Sequence, residues 1–296
     1  MEGPLCLALG VFDGVHVGHR AVIGRAVRAA DDCGGKAAVV TFEPHPIRVL
    51  APERAPRRLL ASVEHKQAIV AEMGVELLVV IAFTRGFAVV GADEFVEQLV
   101  AAAAGLRLMA VGEDWRFGRG RAGDTGLLRR AGEKHGFEVV AVPPVMMDGE
   151  RVSSTRIRQA IRDGNMDGAA RLLGRRYAVA GRVIEGRKLG RTIGFPTVNL
   201  AVADEQMPPD GVWSVRVRVD GAEFAGVANL GRQPTVDGNE RKLEAHLLDF
   251  TGDLYGRWIE VEFGRFLREE KKFASIGELA AQIAADVEAA RRPGGR

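Results

Sequence analysis

The amino-acid sequence predicts an α/β domain with a doubly wound parallel sheet, followed by an antiparallel β-barrel with a C-terminal helix. Over roughly the first 170 residues, short apolar runs alternate with amphipathic stretches, whereas strand-like segments follow one another beyond about residue 176. The length of 296 residues also suits about two domains of roughly 150 residues each. We therefore expect domains at 1–174 and 175–296.

In the first half, five nearly continuous apolar runs predict buried parallel strands at 5–11, 37–42, 76–83, 108–112 and 137–143. Helical spacing predicts intervening helices at His19–Ala30, Val63–Met73, Ala92–Ala103 and Gly126–His135, with a closing helix at Ser154–Gly164. This alternation of strand and helix is typical of a doubly wound sheet.

In the second half, five segments alternate or turn as antiparallel strands do: 177–184, 211–220, 223–230, 242–250 and 257–267. The strict alternation of WSVRVRV predicts a strand with one solvated face. A final amphipathic helix is predicted from Ser275, with one apolar stripe made of Ile276, Leu279, Ile283 and Val287.

Composition narrows the class of protein. The 41 basic and 39 acidic residues nearly cancel and are interspersed, so charge gives no reason to expect a nucleic-acid or membrane partner. The two cysteines have neither disulfide-framework nor metal-site spacing. The N-terminal apolar run is too short for a signal peptide or a membrane span. We expect a cytoplasmic protein.

The string GVFDGVHVGHR (10–20) lies where the first strand hands over to a helix. A helix N-terminus there would aim N–H groups at an anion, and His16 and His19 can both donate to phosphate oxygens. Asp13 would repel phosphate, so we expect it to orient the turn or a hydroxyl group. Three glycines allow a tight turn or a close approach to a ligand: Gly10, Gly14 and Gly18. The alternative is a plain turn with two incidental imidazoles.

A second anion-binding pattern is VSSTRIRQAI (152–161). Ser153, Ser154 and Thr155 suit the N-cap of the helix that follows. Arg156 and Arg158 lie in its first turn, where a basic side chain opposes the helix dipole unless an anion is near. The alternative is an ordinary cap with solvated arginines.

The loop GRKLGRTIGFPTVNL (186–200) combines glycines and arginines with a Pro-Thr-x-Asn strand. Its backbone amides can cradle a polyphosphate, and Thr197 and Asn199 point the same way to hold Mg²⁺-phosphate oxygens. A hairpin with a capping Thr and Asn is equally consistent with this string. In LEAHLLDF (243–250), Glu244 shares a face with His246 and Leu248. Glu244 is a candidate general base if that face meets Thr197 and Asn199, and otherwise a solvated glutamate.

Together, the first-half motifs resemble HxGH-type nucleotidyltransferases. The further strings TFEPHP (41–46) and GEDWRFGRGRAGD (112–124) narrow the resemblance to the FAD-synthetase module of bifunctional riboflavin kinase/FAD synthetases. GFPTVNL, GVWSVRV, GVANLGRQPT, LEAHLLDF and the C-terminal FLREEKKF segment are similar to the riboflavin kinase module. The resemblance covers nearly the whole chain. Three positions depart from the usual family pattern: Val11, Val198 and Trp213.

The resemblance implies a Rossmann-like nucleotidyltransferase domain and a flavokinase barrel, with ATP as co-substrate and Mg²⁺ as cofactor. Riboflavin would be phosphorylated to FMN, and FMN adenylylated to FAD with release of pyrophosphate. The implied catalytic residues are Glu244, His16 and His19, and the implied metal-binding residues are Thr197 and Asn199. The implied nucleotide-binding residues are Gly10, Asp13, Gly14, Gly18, Ser154, Thr155, Arg158, Gly186, Arg187, Gly190, Gly194 and Pro196. The implied flavin-binding residues are Pro44, Asp114, Phe117 and Arg268. His45 could equally be a capped loop histidine, and we assign it no role.

Two other functions remain open at this point. One is an HxGH nucleotidyltransferase for a different phosphorylated acceptor, with the barrel as a binding appendage. The other is a flavin-binding regulatory protein with an inactive module. The joint presence of PTVN and LEAHLLDF disfavours the first, and the retention of Glu244 and both motif histidines disfavours the second.

Overall fold

The computed structural model describes residues 3–186, 190, 193–202, 204–235 and 238–292. Contacts between Cα atoms divide the chain into two compact units. The first unit comprises Met1–Leu59 and Lys66–Ser154, and the second comprises Leu60–His65 and Thr155–Arg296. Leu60–His65 and the segment after Ser154 thus belong to the second compact unit. The predicted boundary at residue 174 separates functional modules and stays a prediction.

The first unit contains a five-stranded parallel sheet in the order β3-β2-β1-β4-β5. Its strands are β1 (Leu5–Leu9), β2 (Lys36–Glu43), β3 (Leu77–Ala82), β4 (Leu106–Gly112) and β5 (Glu138–Val142). A small hairpin of β6 (Met146–Met147) and β7 (Glu150–Arg151) follows. Successive strands are added on one side of β1 up to β3 and on the other side from β4 onward. Such a switch point between β1 and β4 opens a crevice at the carboxyl ends of the strands.

Helices connect the strands as predicted, with two additions. They are α1 (Val17–Cys33), α2 (Pro46–Leu50), α3 (Val63–Ala71), α4 (Ala92–Ala102), α5 (Thr125–His135), α6 (Ser154–Arg162) and α7 (Met166–Leu173). Short 3-10 turns occupy Pro52–Arg54, Phe87–Val89 and Arg119–Arg121. Neither α2 nor α7 was predicted, although Asn165 caps α7 and the left-handed Gly174 ends it. In the described ranges, no helix is long and apolar enough to cross a membrane.

Burial differs from the prediction at β3. Val79 and Val80 are 38% and 39% exposed, whereas all residues of β1 are buried. The prediction that all five strands are buried is therefore wrong for β3, and also for β5 at the other edge, where only Val142 is buried. The reason is position in the sheet, because β3 is an edge strand and β1 is the central one. Sequence pattern alone does not distinguish these two places.

The second unit contains a closed six-stranded barrel in the order β10-β11-β12-β9-β8-β13, antiparallel throughout. Its strands are β8 (Ala178–Ile184), β9 (Val198–Val202), β10 (Gly211–Val219), β11 (Ala222–Thr235), β12 (Gly238–Leu247) and β13 (Trp258–Arg268). The predicted barrel and C-terminal helix are confirmed.

The C-terminal helix α8 (Ile276–Arg291) is capped by the Ser275 hydroxyl, which accepts from the Glu278 N–H. The predicted apolar stripe is wrong for Ile276, which is 61% exposed. The buried residue of this helix is instead Asp286, whose carboxylate binds the guanidinium of Arg268. Ile276 is the first residue of α8 and lies before the part of the helix that packs, so its side chain is exposed to solvent.

The strand register determines which side chains lie on the inner face of the barrel and which lie on its outer face. Val183, Leu200, Leu243 and Leu230 lie side by side on adjacent strands and are all buried. Side chains alternate along a strand, so the neighbours of these residues face outward. Glu244 follows Leu243 and is only half-buried, which places it on the outer face.

A buried carboxylate fixes one edge of the second unit. The side chain of Glu205 is fully buried and accepts hydrogen bonds from the N–H groups of Ser62 (2.7 Å) and Ala180 (3.0 Å). The ring of His65 also lies 3.1 Å from this carboxylate. Such a buried group is stabilising only while every partner is present.

We expect Glu205→Ala to lower the free energy of unfolding of the second unit by about 3 kcal/mol, because it leaves buried N–H donors without an acceptor. Urea unfolding followed by tryptophan fluorescence measures this, since Trp213 and Trp258 both lie in that unit. Glu133→Ala on the exposed face of α5 is the control and should change stability by less than about 0.5 kcal/mol. Equal stability of the two variants would contradict the assigned role of Glu205.

Candidate active sites

The turn after β1 is held in a strained conformation. Phe12 (φ 50°) and Val15 (φ 43°) are left-handed residues other than glycine, and Gly14 (φ 79°) lies between them. Such residues persist only where surrounding contacts determine the backbone, which is common at functional sites. A side chain at Gly10 would reach within 3.0 Å of the Phe12 ring, and one at Gly18 within 3.1 Å of the His16 ring. The predicted glycine pattern therefore has a physical basis.

His16 and His19 lie together at the start of α1. His16 is the N-cap of the helix, and its Nδ1 accepts from the His19 N–H at 3.3 Å. The proton of a neutral His16 ring is therefore on Nε2. The two rings stack with centroids 3.5 Å apart. The helix thus begins at Val17, two residues before the predicted start.

His19 is neutral. Burial, followed by the charges of His16, Lys66 and Arg151, lowers the pKa of His19 well below its usual value. Its Nδ1 is buried and has no hydrogen-bond partner in the part of the chain that the structure describes. A buried polar nitrogen is costly without a partner, so a bound ligand or water would stabilise it.

The second anion-binding pattern meets this turn through Ser154. The Ser154 hydroxyl donates to the Asp13 carbonyl oxygen at 3.0 Å, and Asp13 is itself 4% exposed. Thr155 follows in the first turn of α6, and Arg158 is buried further along the same helix. Segments separated by about 140 residues are thereby joined.

A cavity of about 630 Å³ opens beside the turn, bounded by Val11. Its apolar lining includes the rings of Phe42, Phe83, Phe87, Phe95, Trp115 and Phe117. His45 and the predicted flavin residue Asp114 also line it, together with Phe117. Pro44, the remaining predicted residue in this domain, is exposed and does not line the cavity. A largely apolar cavity of this size with a few polar groups suits a planar aromatic ligand.

Asp114 forms a bidentate ion pair with Arg151, in which Nη1 of the arginine contacts Oδ2 and Nη2 lies 3.2 Å from Oδ1. The hydrogen bonds from Arg151 hold the pKa of Asp114 below its usual value. Arg151 was not among the predicted site residues. The only available signal was its place directly before VSSTRIR, at the end of an unpredicted hairpin.

In the second unit, strand register creates a row of polar side chains. Asn199 on β9, Glu244 on β12 and Asn229 on β11 are direct partners across neighbouring strands. They therefore share the outer face of the barrel, as the prediction for Glu244 required. Asn229 was missed because a single asparagine in a strand has no distinctive spacing. Its side-chain amide donates to Glu270 Oε1 at 3.0 Å.

Two glycines of the glycine-rich segment lie against Asn199 and Thr197. A side chain at Gly186 would lie 2.0 Å from Asn199 Nδ2, and one at Gly190 would lie 3.3 Å from Thr197 Oγ1. Gly194 has a φ of 85°. His246 Nδ1 lies 2.8 Å from the Pro196 carbonyl oxygen, which anchors the strand entry. The predicted residue Arg187 lies outside the described residues.

The side chain of Arg268 is engaged with the C-terminal helix. Its guanidinium binds both oxygens of Asp286, with the closest contact at 2.8 Å. The amide of Gln282 also donates to Asp286. These contacts fix α8 against the end of β13, so a flavin-binding role for Arg268 stays a prediction.

The fold and the two sites are those expected of a two-module transferase, with a strained, histidine-bearing turn in an α/β domain and a row of polar side chains on a β-barrel. Family comparisons agree with this class, since the FAD synthetase model matches residues 2–156 and the riboflavin kinase model matches residues 173–293. The chain belongs to the family of bifunctional riboflavin kinase/FMN adenylyltransferases. The resemblance predicted from the motifs is confirmed.

Individual relatives match across both domains. The bifunctional riboflavin kinase/FMN adenylyltransferase of Pseudomonas fluorescens is 43% identical over 97% of this chain and 92% of its own length. That of Escherichia coli K12 is 42% identical over 96% of this chain and 91% of its own. A crystal structure described as a macrolide-efflux protein from Streptococcus pneumoniae has a TM-score of 0.82 and 33% identity, covering 99% of this chain and 95% of that one.

Proposed function

We propose that the barrel domain, 175–296, transfers the γ-phosphoryl group of ATP to riboflavin, and that the α/β domain, 1–174, adenylylates the resulting FMN. The products are FMN and ADP in the first step, and FAD and pyrophosphate in the second. The observation that carries this proposal is the match of both halves of one chain to the two families. Riboflavin, FMN and ATP are the proposed small-molecule substrates.

In the α/β domain, an FMN phosphate oxygen would attack the α-phosphorus of ATP, and the bond to the β-phosphate would break. Positioning and charge stabilisation dominate such transfers. His16 and neutral His19 would donate N–H groups to phosphate oxygens beside the N-terminus of α1. Ser154, Thr155 and Arg158 would bind the departing phosphates. The flavin ring would occupy the aromatic cavity that Asp114 and Phe117 line.

In the barrel domain, Glu244 would accept the proton of the riboflavin 5′-hydroxyl as that oxygen attacks the γ-phosphorus of ATP. The register that places Glu244 between Asn199 and Asn229 supports this role. Backbone amides of the loop through Gly186, Gly190 and Gly194 would cradle the phosphates, with Arg187 and Pro196 in the same segment.

The oxygen donors of this row suit Mg²⁺, which prefers carboxylate, carbonyl and hydroxyl oxygens. Thr197 and Asn199 would hold the ion, and the missing side chain at Gly186 keeps space beside Asn199. When bound, Mg²⁺ neutralises charge on the transferring phosphate. In the described residues, no cluster of three or more His, Cys, Asp or Glu side chains offers a separate metal site. The cytoplasmic location and the absence of nucleic-acid and membrane partners stay predictions.

Incubating the protein with riboflavin, ATP and Mg²⁺ and resolving the flavins by chromatography tests this function. We expect riboflavin to fall, FMN to rise transiently and FAD to accumulate, with one pyrophosphate for each FAD. A parallel reaction with supplied FMN isolates the second step, and omission of ATP is the control.

The outcomes also separate the alternatives. FMN accumulation without FAD would contradict the adenylylation step and favour an inactive α/β module. Failure of both steps, with pyrophosphate release in the presence of another phosphorylated acceptor, would favour the nucleotidyltransferase of different specificity.

A further inference from the structure

Lys66 is a buried lysine for which the proposed mechanism has no role. It lies on α3 and is only 4% exposed. Lysine is almost never so buried unless its ammonium group is paired, because desolvating a charge costs free energy. The groups that bind the ammonium group therefore indicate the role of Lys66.

The ammonium group of Lys66 binds the end of β1. Its Nζ donates to the Val11 carbonyl oxygen at 2.9 Å and to Thr41 Oγ1 at 3.1 Å. Thr41, which is fully buried on β2, donates its own hydroxyl to the same Val11 oxygen at 2.8 Å. Three groups thus form a closed triangle of hydrogen bonds around one backbone carbonyl.

That carbonyl is placed where the strained turn begins. Val11 directly precedes Phe12, the first of the left-handed residues that lead to His16. Strained backbone needs contacts that over-determine it. The Lys66–Thr41 pair supplies two such contacts at the entrance to the turn.

The charge of Lys66 reaches the same turn. Burial lowers the pKa of Lys66, and the carboxylates of Asp13 and Glu43 act in the opposite direction by favouring its ammonium form. Lys66, in turn, is one of the charged groups that lower the pKa of His19. Burial and His16 have larger effects on that pKa, and Arg151 has a smaller one. Position and electrostatics therefore both connect Lys66 with the histidine pair.

We propose that Lys66 is a positioning residue of the adenylylation site, whose buried ammonium group fixes the start of the turn that leads from β1 to His16 and His19. This inference rests on the proposed function of the α/β domain. It assigns Lys66 no contact with substrate, since its hydrogen bonds end on Val11 and Thr41.

The test compares Lys66→Met, Lys66→Arg and Thr41→Val in the full chain, with Lys36→Met as the control for an exposed lysine on β2. Two activities are measured for each protein: FAD formation from supplied FMN over a range of pH, and FMN formation from riboflavin. The kinase activity reports whether the barrel is folded, and the pH profile of adenylylation gives a readout that a loss of folded α/β domain alone would not move.

We expect Lys66→Met to lower kcat/KM for adenylylation by roughly 10²-fold, mainly through kcat, because the turn loses its anchor. FMN formation should stay at the wild-type rate. Removing a neighbouring cation favours protonation of an imidazole, so the pKa of His19 rises and the acidic limb of the adenylylation profile moves to higher pH. Lys66→Arg should keep that limb nearer to its wild-type position.

Wild-type adenylylation kinetics and an unmoved acidic limb in Lys66→Met would overturn this inference. If Lys66→Met also loses kinase activity, Lys66→Arg and Thr41→Val decide, and wild-type adenylylation by both would overturn it. Absence of FAD formation by the wild-type protein would instead contradict the proposed function itself, so the two failures are distinguishable.

Discussion

Glu244→Ala is expected to abolish FMN formation from riboflavin while FMN supplied to the protein is still converted to FAD. Glu244 lies in the polar row of the barrel, between Asn199 and Asn229, and would be the general base for the 5′-hydroxyl. Loss of a general base lowers a rate by roughly 10²- to 10⁴-fold. Chromatographic rates of the two separate reactions measure the effect.

Two further variants sharpen this prediction. Glu244→Gln keeps the shape of the side chain but not its basicity, so it should lose kinase activity to a similar extent. Glu223→Ala, at an exposed position on β11 where the glutamate pairs with Arg218, should leave both activities unchanged. Equal losses of both activities in Glu244→Ala would show that Glu244 acts through folding rather than in one reaction.

His19→Ala is expected to give the opposite result, a loss of FAD formation with normal FMN formation. The neutral imidazole of His19 stacks on His16 at the N-terminus of α1, where it would stabilise charge on the transferring phosphate. Removing one such preorganised donor costs roughly 10²- to 10³-fold in kcat. Initial rates with supplied FMN, and separately with riboflavin, measure it.

The matched control is His135→Ala, which removes a surface histidine whose Nε2 lies 2.9 Å from Glu97. It should leave both rates at the wild-type level. Conversion of FMN to FAD by His19→Ala at the wild-type rate would contradict the assignment of the HxGH turn as the adenylylation site.

The lowered pKa of His19 also predicts how the rate of adenylylation depends on pH. Because its folded pKa lies below that of an ordinary histidine, His19 stays neutral as the pH falls through the usual histidine range. The wild-type acidic limb of adenylylation should therefore not reflect an unperturbed histidine. Lys66→Met is expected to shift this same acidic limb of the adenylylation profile to higher pH.

Much of the fold was predictable because its determinants are local. Strand and helix order follow from the periodicity of apolar residues, and Ser275 caps the last helix as its type suggests. The errors in burial are of one kind. Val79 and Val80 on β3 and Ile276 on α8 have the sequence pattern of packed residues but are exposed, because sequence does not say which strand is an edge or where packing ends.

The sequence by itself determined the family of this protein, because its motifs occur in one order along nearly the whole chain, although each motif alone left a purely structural alternative open. Only the tertiary structure decided which distant groups complete each site. Barrel register sets Asn229 beside Glu244, and sheet packing brings Lys66 and Thr41 to the Val11 carbonyl. It also leaves Pro44 outside the aromatic cavity and lowers the pKa of His19. The physical reason is that register, burial and neighbouring charge depend on chain segments far apart in sequence.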